Sequence, residues 1–418
     1  MANGNGCVGS LGEIAMIRSR RPAGTILATC CLVLAACGSE GGSPFAGIST
    51  PVLVSESLRF TAIAASGVHT CGVAQDGATW CWGRSEYGAL GTSAPLDLCD
   101  IPRLELVPCT GTPQRVTGGE VYAALVANLG NERTCGLTAA GAVWCWGDGQ
   151  LGQLGDGSGL THTVTPVRVA TTEAFTQLWS SITNQASCAL SGSGEGWCWG
   201  DGYQIVGDPA LNLMLMPVPV RVDWGRRFVT IDLGLMHGCG LTAEGQAWCW
   251  GNNWYGNLGV GSAGANGGLE GSTIPLAVVG GGVYRSIATG SDHSCALDEN
   301  GAAWCWGASN SIGSVADGYV GTPQAVAGGH ILTALKSGQR HTCGLTAQGE
   351  IWCWGQNILG ELGDGSRTDA QVPVRVKANV RFDRLAHRAT CALTSEGQAW
   401  CWGDNYFGQV GRRSVFAR

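Results

Sequence analysis

From Val52 to Val410 the apolar positions fall in short runs with a spacing of two, set between glycine-rich breaks. One unit shows the order. Tyr122-Ala123-Ala124-Leu125 is followed by Thr134-Cys135-Gly136-Leu137, a turn containing Gly141, then Ala142-Val143-Trp144-Cys145-Trp146-Gly147. After a glycine-rich connection comes Pro166-Val167-Arg168-Val169. Alternation of this kind predicts four short β-strands, and no stretch has helical periodicity. The third strand ends on Trp-Cys-Trp-Gly seven times, its second tryptophan being Trp82, Trp146, Trp199, Trp250, Trp306, Trp354 and Trp402 in turn. Repeats of this length signify propellers or solenoids rather than separate domains. The predicted fold is all-β: a seven-bladed β-propeller of four-stranded antiparallel blades.

Another cysteine stands ten residues before each of these: Cys71 with Cys81, Cys135 with Cys145, Cys188 with Cys198, Cys239 with Cys249, Cys295 with Cys305, Cys343 with Cys353, and Cys391 with Cys401. In the first unit the pair is symmetric about Asp76, so Gln75-Asp76-Gly77 reads as a three-residue hairpin loop with Gly77 at its left-handed position. The two cysteines then face each other within disulfide reach. Side chains alternate along a strand, so Trp80 and Trp82 share one face and Cys81 takes the other. A blade apolar on both faces suits a ring in which each blade packs between two neighbours.

Pro113, Pro166, Pro219, Pro275, Pro323 and Pro373 begin the fourth strand. Proline is tolerated on edge strands, so the fourth strand is expected outermost. The seventh unit ends at Gly411 without one, while Pro51-Val52-Leu53-Val54 stands unpaired before the first unit. The N-terminal strand is therefore expected to complete the last blade and close the ring.

Composition adds a compartment. Arg18, Arg20 and Arg21 precede a mildly apolar stretch, Ala23 to Leu34, and Leu34-Ala35-Ala36-Cys37 reads as a bacterial lipoprotein cleavage box. Residues 1–36 are expected to be a signal peptide, with translation starting better at Met16. Cys37 is the acylated residue, and residues 37–49 are a lipidated, Gly/Ser-rich tether. The propeller is residues 50–418. The expected location is the bacterial cell envelope, with membrane attachment through the lipid alone. The twenty cysteines then divide cleanly. Cys7, Cys30 and Cys31 leave with the signal and Cys37 takes lipid. Fourteen form the repeat pairs, and Cys99 and Cys109, again ten apart, form an eighth. An even set in an exported chain is what a disulfide framework requires. Net charge is −7 and lysine and arginine are not clustered, which argues against a nucleic-acid partner.

These motifs resemble the regulator of chromosome condensation repeat: aliphatic strand, His-x-Cys-x-Leu, glycine turn, Val-Trp-x-Trp-Gly, Gly-Gln-Leu-Gly, then Pro-x-x-Val. The glycine signature stands at Tyr87-Gly88-Ala89-Leu90-Gly91, Leu151-Gly152-Gln153-Leu154-Gly155, Tyr255-Gly256-Asn257-Leu258-Gly259, Leu359-Gly360-Glu361-Leu362-Gly363 and Phe407-Gly408-Gln409-Val410-Gly411. It is reduced to Val206-Gly207 and Ile312-Gly313 in the third and fifth units. The resemblance implies a seven-bladed propeller, of which the cysteine-paired form looks like a bacterial exported variant. The family's namesake exchanges nucleotide on a small GTPase on chromatin, neither of which an exported acidic lipoprotein meets, so no exchange residue is carried over. Other bacterial relatives are secreted binders acting through loops on one face.

Candidate chemistry reduces mostly to structure. His69, His237, His293 and His341 share one repeat position, held elsewhere by Arg133, Ala186 and Ala389, and read as strand-end hydrogen-bonding residues rather than a metal ring. Gly147-Asp148-Gly149-Gln150-Leu151-Gly152 matches a dinucleotide pattern without the helix it needs. Asp156 and Asp364 read as solvated turn residues rather than calcium ligands. No catalytic constellation, metal or cofactor is predicted.

Function is expected in the irregular connections between third and fourth strands. Residues 92–112 carry Asp97, Cys99, Asp100, Leu104, Leu106 and Cys109; residues 202–216 carry Tyr203, Leu211, Leu213, Met214 and Leu215; residues 260–274 follow Trp254. They leave from corresponding blade ends and should gather on one face. The favoured function is an envelope-anchored binding or scaffold protein, monomeric, holding an envelope or secreted protein. Glycan binding or glycan cleavage is the alternative, and would be favoured by exposed aromatics with a carboxylate pair in the central channel.

Overall fold

A computed structural model describes residues 47–99, 106–128, 132–182, 186–202, 206–212, 214–314, 318–386 and 390–412. They form seven antiparallel sheets, one for each Trp-Cys-Trp-Gly unit. In blade 2 the strands are Tyr122–Ala127, Arg133–Thr138, Val143–Asp148 and His162–Arg168, paired in that order. First strands pack on first strands of the neighbouring blades and so surround the axis, while fourth strands lie outermost. In blade 7, Ile48–Leu53 pairs with Ala399–Gly403, placing Val52 opposite Cys401 and Leu53 opposite Trp400. The N-terminal strand closes the ring as expected.

The hairpin reading holds at residue level. Cys71 lies opposite Cys81, Ala74 N donates to Ala78 O, and Gly77 has φ +84°. All seven repeat pairs are disulfides between directly opposed residues, with Cα atoms 4.0–4.1 Å apart. The two tryptophans of each motif differ in burial. The second is buried at 0% exposure in every blade, whereas the first, nearer the hairpin end, is only half-buried.

One expectation is corrected. The prolines do not begin the outer strand; they interrupt it. In blade 2 the ladder pairs Thr163 with Gly147 and resumes at Val167 with Cys145, and Pro166 stands in the irregular stretch between them. Proline has no N–H to give the ladder, so it is accommodated where the register shifts, and the strand extends before it.

A recurrent latch joins the blades. In four blades the carbonyl in the middle of the glycine signature, at Ala89, Asn257, Glu361 and Gln409, accepts the tryptophan Nε1 of the next blade. Ala89 O accepts Trp146 Nε1 at 2.8 Å and Thr134 Oγ1 at 3.1 Å. Asn257 O accepts Trp306 Nε1 and Ser294 Oγ, both at 2.9 Å, and Gln409 O accepts Trp82 Nε1 and Thr70 Oγ1, both at 2.9 Å. Each such hydroxyl gives its one proton to the carbonyl. Where a histidine ring reaches that hydroxyl, the ring must therefore donate to it: His69 Nε2 to Thr134 Oγ1 and His237 Nε2 to Ser294 Oγ, both at 2.9 Å. Arg133 makes the same crossing by itself, from Nη2 to Ser187 Oγ at 2.8 Å and Nη1 to Gln153 O at 3.0 Å. The histidine position is thus a strand-end hydrogen-bonding site between blades. Among the described residues no group of three or more metal-ligating side chains is placed to hold an ion. The last glycine of the signature lies flat on the next blade's tryptophan. At Gly155, φ +70°, a Cβ would stand 2.7 Å from the Trp199 ring. That contact explains why the reduced signatures keep Gly207 and Gly313.

Burial lowers the His69 imidazole from 6.5 to about 3. Its folded value lies below its unfolded one, so its contribution to stability is present above pH 6.5 and is lost as pH falls toward about 3. We expect the stability advantage of the parent chain over His69→Gln to shrink as pH drops from 6.5 to 4, by up to about 3 kcal/mol. Urea midpoints of both proteins across that range check this, and a constant difference would contradict it.

Candidate functional site

Antiparallel pairing puts the turns between first and second strands, and the connections between third and fourth, at one end of each blade. The hairpins between second and third strands lie at the other. Arg84 N to Val68 O, Asn252 N to Met236 O and Ala308 N to Asp292 O tie the two kinds of connection together in blades 1, 4 and 5. The ring thus has a hairpin face and a connection face. On the connection face the first turns meet around the axis, linked by Ile182 N to Gly234 O at 2.9 Å, Leu235 N to Gly290 O at 3.3 Å and Ser291 N to Gln339 O at 2.7 Å. This backbone belt, with the latches and disulfides, gives the connections a stiff base.

The first long connection is more ordered than a stapled loop. Asp97–Cys99 pairs antiparallel with the start of Val107–Arg115 and adds a fifth strand to blade 1. Cys99 and Cys109 form a disulfide with Cα atoms 5.9 Å apart. Cys99, Cys109 and Val107 pack on Phe407 of blade 7, and the Arg84 guanidinium stands 5.1 Å above the Phe407 ring. The staple therefore sits on the seam between first and last blades. Leu98 and Leu106 remain exposed, at 43% and 51%. Asp97 is half-buried, and Asp100 and Leu104 lie outside the described residues.

The second connection divides. Leu211 and Met216 turn inward and pack with Trp250, so Leu211 is core rather than surface. Met214 and Leu215 face solvent at 49% and 56% exposure. Tyr203 and Leu213 lie outside the described residues. In the third connection, Gly264–Asn266 makes one 3₁₀ turn, anchored by Gly264 N to Asn253 O and Ala265 N to Trp254 O, both 2.9 Å. Trp254 is the one exposed tryptophan among the described residues.

The same face holds two carboxyls that sequence reading did not single out. Glu132 is buried at φ +39° with Oε1 2.5 Å from Arg84 Nε, and Oε2 accepts Glu86 N at 2.6 Å. Burial raises its carboxyl to about 7 against the opposing Arg84 charge. Asp404 is likewise raised to about 7 by burial, opposed by a hydrogen bond from Tyr406 N and reinforced by the Glu361 charge. The only sequence signal for Asp404 was its place directly after Trp-Cys-Trp-Gly. Around the axis, the exposed positions of the first strands are Thr61, Ala123, Thr176, Arg285, Thr333 and Arg384. Among the described residues none of these is a carboxylate.

With this geometry in hand, the chain was compared with known proteins. The family model described as the regulator of chromosome condensation (RCC1) repeat matches residues 126–153, 284–311, 333–361 and 388–409, and a second model of that description matches residues 140–188 and 348–391. The matched segments are regulator of chromosome condensation repeats set in a seven-bladed propeller. Among curated repeat proteins it is 30% identical over 247 residues to the human E3 ubiquitin-protein ligase HERC2, covering 58% of this chain and 5% of the ligase. It is 25% identical over 283 residues to the guanine nucleotide exchange factor SRM1 of Saccharomyces cerevisiae, covering 62% of this chain and 58% of that protein. The chain thus spans less than two thirds of either relative. The crystal structure of human WBSCR16 shares the repeat fold at a TM-score of 0.66 and 21% identity, over 82% of this chain and 94% of that one.

Proposed function

We propose that this propeller is a binding scaffold that holds a protein partner on its connection face and is tethered to the bacterial cell envelope through Cys37. The observation that carries the binding role is the contrast between a ring fixed by disulfides and latches and the apolar side chains exposed on the long connections of one face, a face whose charge is predominantly acidic. Leu98, Leu106, Met214, Leu215 and Trp254 all stand there. Exposed apolar side chains carried by irregular connections on a rigid base are how docking surfaces are built, because little ordering cost remains when the partner arrives. Stapling of Leu98 and Leu106 by Cys99–Cys109 serves that end. An exchange activity like that named for SRM1 would require a guanine-nucleotide-binding partner inside the cell, which the lipoprotein box opposes.

The tether rests on residues 1–46, which lie outside the described residues. Radiolabelled palmitate should enter the expressed chain and be lost in Cys37→Ser; label retained in that variant would defeat the anchor. For the binding role, a photo-crosslinker placed at Leu106 or Met214 should capture a protein that the same crosslinker at Glu244, on the hairpin face, does not. Equal capture from both faces, or none from either, would defeat it.

A further inference from the structure

The charged residues divide unevenly between the two faces. The hairpin face mixes signs, and Glu195 there pairs with Arg221 at 2.9 Å, and Glu350 with Arg375 and Arg381 at 3.0 and 2.8 Å. The connection face is predominantly acidic: Glu86, Asp156, Asp201, Glu270, Asp364 and Asp369 all reach solvent there. Three of its arginines are already engaged, while Arg412 reaches solvent. Arg84 pairs with Glu132 and Glu86, Arg340 Nε lies 3.3 Å from Asp292 Oδ2, and Arg367 Nη2 donates to Gly47 O at 2.6 Å. The negative charge is therefore displayed on the face that also carries the apolar side chains of the long connections.

Within that face the fourth blade builds a small aromatic platform. Trp254 is 45% exposed and Leu269 41%. Tyr255 meets Tyr319 of blade 5 edge-on, with ring centroids 5.2 Å apart. Gly264 lies between Trp254 and Glu270: a Cβ on it would stand 3.3 Å from Trp254 Cα and 3.0 Å from Glu270 Cα. Asn253 Nδ2, donating to Ser262 O at 3.0 Å and Leu269 O at 2.9 Å, fixes the loop that holds them. An exposed indole close to a carboxylate that has no ion-pair partner among the described residues suits a guanidinium or ammonium group, attracted by the ring quadrupole and the carboxylate together.

We propose that the partner of the connection face is a cationic segment of another protein, and that one of its arginine or lysine side chains seats on Trp254 against Glu270. This rests on the scaffold reading above and names the chemistry of its partner. The remaining acidic groups steer the segment by long-range attraction, and Met214, Leu215, Leu98 and Leu106 take its apolar residues.

The test uses the full chain and two fluorescent peptides of equal length and equal leucine content, one with arginines and one with glutamates at the charged positions. The arginine peptide should bind, lose at least about tenfold in affinity as salt is raised from low to near-physiological ionic strength, and leave the glutamate peptide unbound. Trp254→Ala and Glu270→Gln should each weaken it roughly fivefold to tenfold, while Glu244→Gln on the hairpin face should leave it unchanged. Thermal melts of all three variants confirm that each is folded. Equal binding of both peptides, indifference to salt, or undiminished binding in Trp254→Ala would overturn the proposal. So would concentration-dependent self-association in sedimentation that is abolished by Trp254→Ala, since a second copy would then be the occupant. The outcomes separate the two readings: a protein captured from Met214 with no salt dependence and no effect of Glu270→Gln sinks the cationic partner and leaves the scaffold standing.

Discussion

Reductant combined with a urea concentration that leaves the oxidised chain folded is expected to unfold this protein completely. Each repeat disulfide closes a short loop and contributes about 2–3 kcal/mol by restricting the unfolded chain. Taken together, the eight bridges exceed the whole margin of about 5–15 kcal/mol that keeps a typical domain folded. The sulfurs are inaccessible in the native state, with every bridged cysteine at 0–1% exposure. Reductant alone should therefore act slowly and only through openings of the blades. Fluorescence of the seven buried motif tryptophans reports the transition, and thiol labelling under denaturing, non-reducing conditions should find the propeller cysteines blocked. A reduced chain with the same urea midpoint as the oxidised one would show the bridges to be dispensable, and several reactive thiols would show them unformed.

Deleting residues 47–54 should be the most damaging change at either end of the propeller. Ile48–Leu53 is the outer strand of blade 7, and Ile48, Val52 and the adjoining Val54 pack in the cluster that holds Trp82, Cys401 and Val410. Loss of that apolar burial alone is worth about 5 kcal/mol, before the ladder bonds to Ala399–Gly403 are counted. Without the strand, blade 7 keeps an unpaired edge at the point where the ring joins, and Gly411 loses Val54, whose Cα lies 3.0 Å from where its Cβ would stand. The shortened chain should unfold at a markedly lower urea concentration and self-associate through the open edge. A melting temperature within a degree of the full chain's would mean that the ring closes without the strand.

The frame of this protein was legible because its signals are local and repeated. Cysteines ten apart, a glycine at the hairpin tip and alternating tryptophans act within one hairpin, where sequence separation and spatial separation coincide. The ends could be matched because an unpaired strand motif at one terminus and a missing one at the other admit few solutions. The proline position was misjudged for a related reason. Proline marks where a ladder lacks a donor, and an edge strand can meet that requirement at a bulge as well as at its beginning.

What depends on contact between blades was not legible. Nothing near His69 in sequence announces Thr134, nor does the chain around Ala89 reveal that its carbonyl serves Trp146. These partners lie tens of residues apart and meet only because consecutive blades stack. Leu211 and Met214 sit three residues apart in one apolar stretch, yet packing against Trp250 takes the first and leaves the second to solvent. By itself the sequence determined the blades, their number, their bridges and their closure, since each follows from short-range geometry repeated around a ring. Only the tertiary structure decided which loop residues remain on the surface, how the stapled hairpin covers the seam, and that the acidic groups share a face with Trp254. Those outcomes depend on which distant segments the ring brings side by side.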